Sequence, residues 1–176
     1  MGTGLLKSYA GIGSRETPSD VLGLITKIAT KLDIQGYVLN SGGASGADTA
    51  FEQGSSNKQI FLPSDTFNGR SHDGISYFNY QRLQHKDLAD ETVGLFHPAA
   101  HKLSDYAFKL MARNTFQVLG KDLQSSVEFV ICWTPEGKDV GGTSQAIRIA
   151  KSVKIPVFNL GKQKVLDRFT AFVSDS

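Results

Sequence analysis

The sequence is poor in cysteine and has no long apolar run. Its one cysteine, Cys132, excludes an intrachain disulfide and fits a reducing compartment. Because Cys132 lies in an apolar stretch, we expect a buried, unreactive thiol. No segment approaches the roughly 18 apolar residues that span a bilayer, and the N-terminus lacks the apolar centre of a signal peptide. These absences predict a cytoplasmic protein with no membrane partner.

The sequence also lacks a large excess of positive or negative charge, since the formal net charge is +2 and the lysines and arginines are scattered. Nucleic-acid-binding domains are usually strongly basic, so nucleic acid is a disfavoured partner. Of the four histidines, His97 and His101 lie close in sequence, but Pro98 separates them and no cysteine is near. We therefore expect no metal site. His97, at a predicted helix entrance, is kept as a candidate for facing a ligand.

The chain does contain a regular alternation of short apolar strands and amphipathic helices. Its 176 residues fit a single domain. The alternation predicts an α/β fold, a Rossmann-like three-layer sandwich with a mainly parallel sheet. Strands are predicted at 8–11, 37–40, 59–62, 127–133 and 156–160, and helices at 17–32, from 47, from 103, after 143 and at 165–172.

Several local features of the helices can be predicted from the same pattern. The first helix is expected to have Thr17 as its N-cap and Pro18 as its first residue. The period of the later helices places Tyr106 and Val153 among the inward-facing residues. Between 64 and about 100 no period is present, and the stretch is polar, aromatic and rich in turn signals such as Asn68-Gly69. We expect an irregular, partly helical cover there, near the functional site.

Glycine is concentrated at three predicted strand-to-helix connections. The strands of a parallel sheet direct their carboxyl ends to one edge, where ligands bind. Glycine lets a ligand approach the backbone, and helix N-termini suit phosphate. We therefore predict a phosphate-binding site formed by Gly11, Gly13, Ser14 and Arg15, by Ser41, Gly42, Gly43, Ala44, Ser45 and Gly46, and by Gly141, Gly142 and Thr143. No Gly-Lys-Ser/Thr phosphate loop is present, which disfavours triphosphate hydrolysis of that kind.

Four blocks of the sequence resemble the SLOG superfamily: residues 9–15, residues 41–48, Arg113-Asn114 and residues 141–143. That group includes the Rossmann-like domains of the DNA-processing protein DprA (Smf) and the Lonely Guy phosphoribohydrolases. The resemblance covers roughly residues 8–160. Its most specific block, 41–48, is close to the Ser-Gly-x-Ala-x-Gly-x-Asp pattern of the DprA branch. It implies one nucleotide-binding domain over 1–176, similar to small stand-alone members found in phages, with Arg113 and Asn114 in the site.

One departure from the family pattern concerns catalysis. Lonely Guy enzymes carry a glutamate three residues after the threonine of their glycine motif, and it assists N-glycosidic cleavage. Here the threonine is Thr143 and that position is Ala146, preceded by Gln145. The mechanism therefore does not transfer directly.

The carboxylates nearest the glycine loops are Asp48 and Glu52, four residues apart and hence on one helix face. Asp48 is expected beside the ligand, where it accepts a hydrogen bond from a ribose hydroxyl. If the protein is an enzyme, Asp48, Glu52 or Asp139 takes the catalytic role. Arg15 is expected to clamp a phosphate. Trp133, at the end of the central strand, either stacks on a base or packs in the core.

Three functions remain open on the sequence alone. The favoured one is binding of a nucleotide or nucleotide-derived ligand, for sensing or sequestration and without a cofactor. The first alternative is hydrolysis of a nucleotide's N-glycosidic bond. The second is DprA-like binding of single-stranded DNA. Pairing into a homodimer is compatible with each, because such domains often bury exposed apolar surface in that way.

Overall fold

A six-stranded, fully parallel sheet forms the centre of the computed structural model, which describes residues 7–175. The strands lie in the order β6-β3-β2-β1-β7-β8, and a separate antiparallel hairpin is formed by β4 and β5. The strands are β1 (Ser8–Gly13), β2 (Val38–Ser41), β3 (Lys58–Leu62), β4 (Thr66–Phe67), β5 (Arg70–Ser71), β6 (Tyr77–Asn79), β7 (Val130–Trp133) and β8 (Val157–Asn159). The chain runs from β1 outward in one direction and returns to extend the sheet in the other, so the topological switch lies between β1 and β7.

Helices cover both faces of the sheet, which confirms the predicted Rossmann-like three-layer sandwich. The helices are α1 (Ser19–Ile34), α2 (Ala47–Gln53), α3 (Lys86–Phe96), α4 (Asp105–Leu119), α5 (Thr143–Ser152) and α6 (Gln163–Ser174). One apolar cluster joins α1, α2 and α6 to the first face. Two further clusters join α3, α4 and α5 to the second. None of the described helices is both long and apolar enough to cross a membrane.

The predicted start of α1 is wrong by one residue. Pro18 has extended backbone angles and is the N-cap, so the helix begins at Ser19. Thr17 is buried, and its hydroxyl donates to the carbonyl oxygen of Ser14 at 2.6 Å. The Thr17 side chain therefore stabilises the preceding loop and does not cap the helix.

Two residues predicted to face inward are exposed. Tyr106 lies in the first turn of α4, before the buried stretch of that helix begins at Met111, and is 56% exposed. Val153 follows the last residue of α5 as its C-cap and is 48% exposed. Both errors arise because an apolar period continues past the part of the helix that contacts the sheet.

The segment 64–100 has more regular structure than its sequence predicts. It contains the β4–β5 hairpin, the edge strand β6 and the 11-residue helix α3. These strands are two or three residues long, too short to show an alternating pattern. In α3 only Ala89 and Val93 are buried, whereas Leu88 and Leu95 are exposed, which weakens the helical period.

Candidate functional site at the carboxyl edge of the sheet

The three glycine loops lie together at the carboxyl edge, as expected from the parallel topology. Gly13 ends β1 and is in register with Trp133 at the end of β7, so the first loop borders the topological switch. In open α/β sheets this crevice is the usual place for a ligand. The remaining contacts show how the loops are held to one another.

Asp48 links the first two loops. Its Oδ1 accepts the backbone N–H of Gly13, and its Oδ2 accepts the N–H of Ala44, each at 3.2 Å. The side chain is buried, and burial raises the pKa of Asp48 to about 6, although the positive charge of Arg113 and the two amide hydrogen bonds act in the opposite direction. The residue expected to face a ligand hydroxyl is thus engaged with the protein's own backbone.

Gly46 lets the first and second loops approach closely. Its φ is +83°, and a Cβ added to it would lie 2.8 Å from the Cα of Arg15 and 2.8 Å from the carbonyl oxygen of Ser14. That same Ser14 oxygen is 3.5 Å from the N–H of Ala47. Glycine is needed at this position for both its conformation and its lack of a side chain.

Arg113 and Asn114 link the second and third loops from the middle of α4. The Nη1 of Arg113 donates to the carbonyl oxygens of Gly42 at 2.6 Å and Phe61 at 3.0 Å, and its Nε donates to the Oδ1 of Asn114 at 2.9 Å. The Nδ2 of Asn114 donates to the carbonyl oxygen of Gly142 at 3.0 Å. The two residues thus form a continuous polar connection beneath the edge.

Arg113 is a buried cation without a direct anionic partner. It is 6% exposed, and no carboxylate in residues 7–175 lies within 4.0 Å of its guanidinium. Burial lowers the pKa of Arg113, and the charge of Asp48 opposes that effect. Because removing a charge from water is costly unless it is compensated, this arginine makes the floor of the site favourable for an anion.

Two predicted ligand residues have structural roles instead. A Cβ on Gly11 would lie 2.5 Å from the ring of Phe51, so glycine is required there by core packing. Ser41 is fully buried, and its hydroxyl donates to the carbonyl oxygen of Gly11 at 2.6 Å. These two residues support the loops from below.

Several other predicted residues lie on the open side of the edge. Arg15 is exposed and forms neither a hydrogen bond nor an ion pair within the described part of the chain. Ser14 and Thr143 are half-buried, whereas Ser45 is exposed. Gly141 has a φ of +78°, and no atom of the described residues lies within 4 Å of a Cβ added to it. Backbone and side chains at this edge are therefore accessible to a ligand.

Glu52 lies away from this edge and is surrounded by donors. Its carboxylate accepts the hydroxyl of Tyr77 at 2.5 Å, the Nε of Arg70 at 2.7 Å and the Nζ of Lys58 at 3.0 Å. Burial acts to raise the pKa of Glu52, but these hydrogen bonds outweigh it and hold that pKa below its ordinary value. Glu52 fixes β3, β6 and the hairpin to α2.

Sequence reasoning missed Arg70 and the hairpin that carries it. The Cδ of Arg70 is 2.8 Å from the position of a Cβ on Gly43, and the Nδ2 of Asn68 donates to the carbonyl oxygen of Gly43 at 3.0 Å. The hairpin thus covers the second glycine loop. The only sequence signal for it was the Asn68-Gly69 turn.

The remaining candidates lie outside the loop cluster or in the core. His97 accepts the N–H of Ala99 at 3.0 Å, and burial, together with the nearby charge of Arg148, lowers the pKa of His97. Cys132 is buried, as expected, and burial raises its thiol pKa to about 12. Trp133 is half-buried and packs against the core. Within residues 7–175 no group of three His, Cys, Asp or Glu side chains is arranged to hold a metal.

Comparison with known proteins finds a similar fold but no related sequence family. No protein-family model matches the sequence, and no curated protein matches it. The chain is similar to a solved structure of DNA processing protein A from Helicobacter pylori, which was described for its single-stranded DNA binding mode. The TM-score is 0.56 at 16% identity, and the match covers 97% of this chain and 80% of that chain. At this identity the likeness shows a shared fold.

Proposed function

We propose that this chain is a DprA-like member of the SLOG superfamily. In this proposal it binds the phosphate of a nucleotide or nucleotide-derived ligand at the carboxyl edge, to sense or sequester the ligand. The observation that carries the proposal is the buried Arg113–Asn114 pair, which joins Gly42 to Gly142 without a carboxylate in contact. A phosphate above it would supply the negative charge that this cation lacks in its immediate surroundings.

Backbone donors around the pair support the same assignment. The N–H groups of Gly141, Gly142 and Thr143 donate to no acceptor in residues 7–175, nor do those of Gly43 and Ser45. Gly142 and Thr143 open the ten-residue helix α5, whose N-terminus carries a partial positive charge. Such amides, together with an exposed arginine at position 15, suit an anion with several oxygens.

Single-stranded DNA is the second candidate ligand, and the fold similarity to DNA processing protein A favours it. A nucleotide and single-stranded DNA both carry phosphate groups, so both candidate ligands would use the same loops. The weak net charge of +2 is the reason to rank the nucleotide first, because DNA binding depends on several phosphate contacts by Lys and Arg.

Hydrolysis of an N-glycosidic bond has the least support. Three carboxylates are candidates for it: Asp48, Glu52 and Asp139. Asp48 and Glu52 both accept hydrogen bonds from protein groups, whereas Asp139 is exposed. A general acid or base must reach the substrate atom whose proton it transfers. Neither Asp48 nor Glu52 is presented to the open side of the edge, which leaves Asp139 as the remaining candidate.

Isothermal titration calorimetry with a panel of nucleoside mono- and diphosphates and inorganic pyrophosphate tests the proposal. We expect saturable binding of at least one nucleotide with a Kd of about 10 µM or tighter. A DNA-binding protein would instead bind oligothymidylate with an affinity that falls steeply with salt. Release of free base from a monophosphate, detected by chromatography, would favour the hydrolase. No binding of any phosphate-bearing ligand would overturn the proposal.

A further inference from the structure

A groove beside the second glycine loop is not accounted for by the phosphate site. It lies between α1, α2 and the hairpin loop and has a volume of about 500 Å³. Its apolar lining includes Leu22, Gly23 and Ala50, and its polar lining includes Gln53, Asn68 and Arg70. Pockets of 300–1,000 Å³ are typical of small-molecule sites. The groove also shares Ser45 and Gly46 with the glycine loop, so it is continuous with the candidate phosphate site.

Gly23 gives this groove its depth. It lies inside the 16-residue helix α1, where glycine is less favourable than alanine. No packing contact in residues 7–175 requires it, since no atom of that part of the chain lies within 4 Å of a Cβ added at this position. Gly94 in α3 has equally open surroundings but does not line the groove. A side chain at position 23, unlike one at 94, would project into the space beside Ser45.

The lining of the groove restricts what it can hold. The hydroxyl of Thr26 donates to the carbonyl oxygen of Ala50, and that of Thr49 donates to the carbonyl oxygen of Ala44. The amide of Gln53 is exposed and forms no hydrogen bond within residues 7–175. The apolar residues Leu22, Gly23 and Ala50, together with the available amide of Gln53, suit a planar heterocycle, which has two apolar faces and a polar edge.

We infer that this groove holds the nucleoside portion of a nucleotide unit whose phosphate lies on the glycine loops. The inference rests on the proposed function and specifies it: the base lies over Gly23 and Ala50, with its polar edge toward Gln53. The nucleotide unit comes either from a free nucleotide or from a single strand. Both sources present the same base, sugar and phosphate to the groove.

Two tryptophan variants test this assignment, with inorganic pyrophosphate as a ligand that lacks a base. Gly23→Trp fills the groove, whereas Gly94→Trp places the same side chain on another exposed helix. We expect Gly23→Trp to weaken binding of the tightest nucleotide in the panel at least about tenfold while the pyrophosphate affinity stays within about twofold. Gly94→Trp is expected to change neither affinity. Thermal unfolding establishes that both variants fold.

The experiment distinguishes a free nucleotide from a single strand as the source of the nucleotide unit. It also distinguishes failure of the groove assignment from failure of the proposed phosphate site. Weaker binding of a mononucleotide supports the groove as a free-nucleotide site, and weaker binding of oligothymidylate alone supports it as a site for one unit of a strand. Unchanged binding of both ligands to Gly23→Trp would overturn the groove assignment but leave the phosphate site intact. Failure of the unmodified protein to bind pyrophosphate and nucleotides would instead overturn the proposed function. If Gly23→Trp does not fold, Gln53→Ala serves instead, with an expected loss of about fivefold for base-bearing ligands only.

Discussion

Asp48 accepts the backbone N–H of Gly13 at 3.2 Å, although the two residues are 35 positions apart. The contact ties the N-terminal turn of α2 to the end of β1. A buried carboxylate therefore occupies a position that the glycine pattern alone would assign to an external anion. Its protonation state should affect stability in a measurable way.

We predict that the stabilising effect of Asp48 decreases as pH rises from about 4 to about 7. The pKa of Asp48 is about 6 in the folded protein, against 3.8 for an unperturbed carboxyl, because of burial. A pKa raised by folding gives stability that is fully present below the unfolded pKa and is lost as pH rises through the folded value. The change corresponds to about 3 kcal/mol. The two amide donors hold the ionised form in place above that range.

Urea denaturation of the wild type and Asp48→Asn between pH 4 and 8 measures this effect. The difference in unfolding free energy between the two proteins should shift in favour of the variant as pH rises. Asp139→Asn, which removes an exposed carboxyl, serves as the control. A difference that stays constant from pH 4 to 7 would show that Asp48 titrates normally.

A carboxylate at position 142 should abolish ligand binding without unfolding the protein. Gly142 has a φ of −65°, and the nearest atom to an added Cβ is the flexible end of Met111 at 3.2 Å. Gly142 directly precedes the first turn of α5, where a carboxylate interacts favourably with the helix dipole. Gly142→Asp should therefore retain or raise the melting temperature, while its negative charge repels a phosphate at this edge.

Gly142→Asn is the matched neutral control, because its side chain has the same shape without the charge. Calorimetry with the tightest ligand of the panel should show a loss of at least about 30-fold for Gly142→Asp and a much smaller loss for Gly142→Asn. Equal affinities for the two variants would place the phosphate elsewhere.

Gly46→Ala should destabilise the protein far more than Gly69→Ala. Both glycines have a positive φ, +83° and +77° respectively, so each substitution costs at least about 1–2 kcal/mol in backbone strain. The strain is larger at Gly46, because its ψ of −128° lies outside the left-handed helical region. Only Gly46 lies against backbone atoms, those of Ser14 and Arg15 at 2.8 Å, and backbone cannot move away as a side chain can. We expect a total loss of more than about 3 kcal/mol for Gly46→Ala.

Chemical denaturation of the two variants measures the loss at Gly46 beyond the strain of a positive φ alone. Within residues 7–175, Gly69 has no atom within 4 Å of an added Cβ, so Gly69→Ala reports only that strain. Similar losses at both positions would mean that the first and second loops can separate without cost.

The fold and the meeting place of the glycine loops could be predicted because both follow from chain order. Parallel strands joined by helical crossovers bring all their carboxyl ends to one edge, so glycines far apart in sequence were expected to meet. The partners of single side chains could not be predicted in this way. Nothing in the sequence shows that Phe51 packs against Gly11 or that Asp48 reaches Gly13, since these contacts depend on how α2 sits on the sheet.

The β4–β5 hairpin could not be predicted from the sequence either, for a related physical reason. Strands of two residues leave no alternating pattern, and Arg70 is indistinguishable in sequence from a solvated arginine. Its position is fixed by Glu52, which lies 18 residues away. The sequence predicts Glu52 as a candidate catalytic group, whereas its three hydrogen bonds indicate a structural role. A substitution at this position can distinguish the two roles.

We predict that Glu52→Gln lowers stability by about 2 kcal/mol at pH 7, because hydrogen bonds to charged groups are worth about 1.5–3 kcal/mol. The carboxylate contacts Arg70, Lys58 and Tyr77. The lowered pKa of Glu52 means that its contribution is present above the unfolded pKa and is lost as pH falls through the folded value. The penalty of the variant should therefore shrink below about pH 4.5, the opposite sign to that of Asp48.

Denaturation of Glu52→Gln and of Glu91→Gln, an exposed glutamate of α3, measures this penalty across pH. A catalytic carboxylate would behave differently: its amide variant would remain as stable as the wild type and lose only base-releasing activity. Full stability of Glu52→Gln at pH 7 would contradict the structural role. A loss of stability that diminishes at low pH, without a change in ligand affinity beyond about twofold, would place Glu52 in the scaffold that holds the hairpin over the second glycine loop.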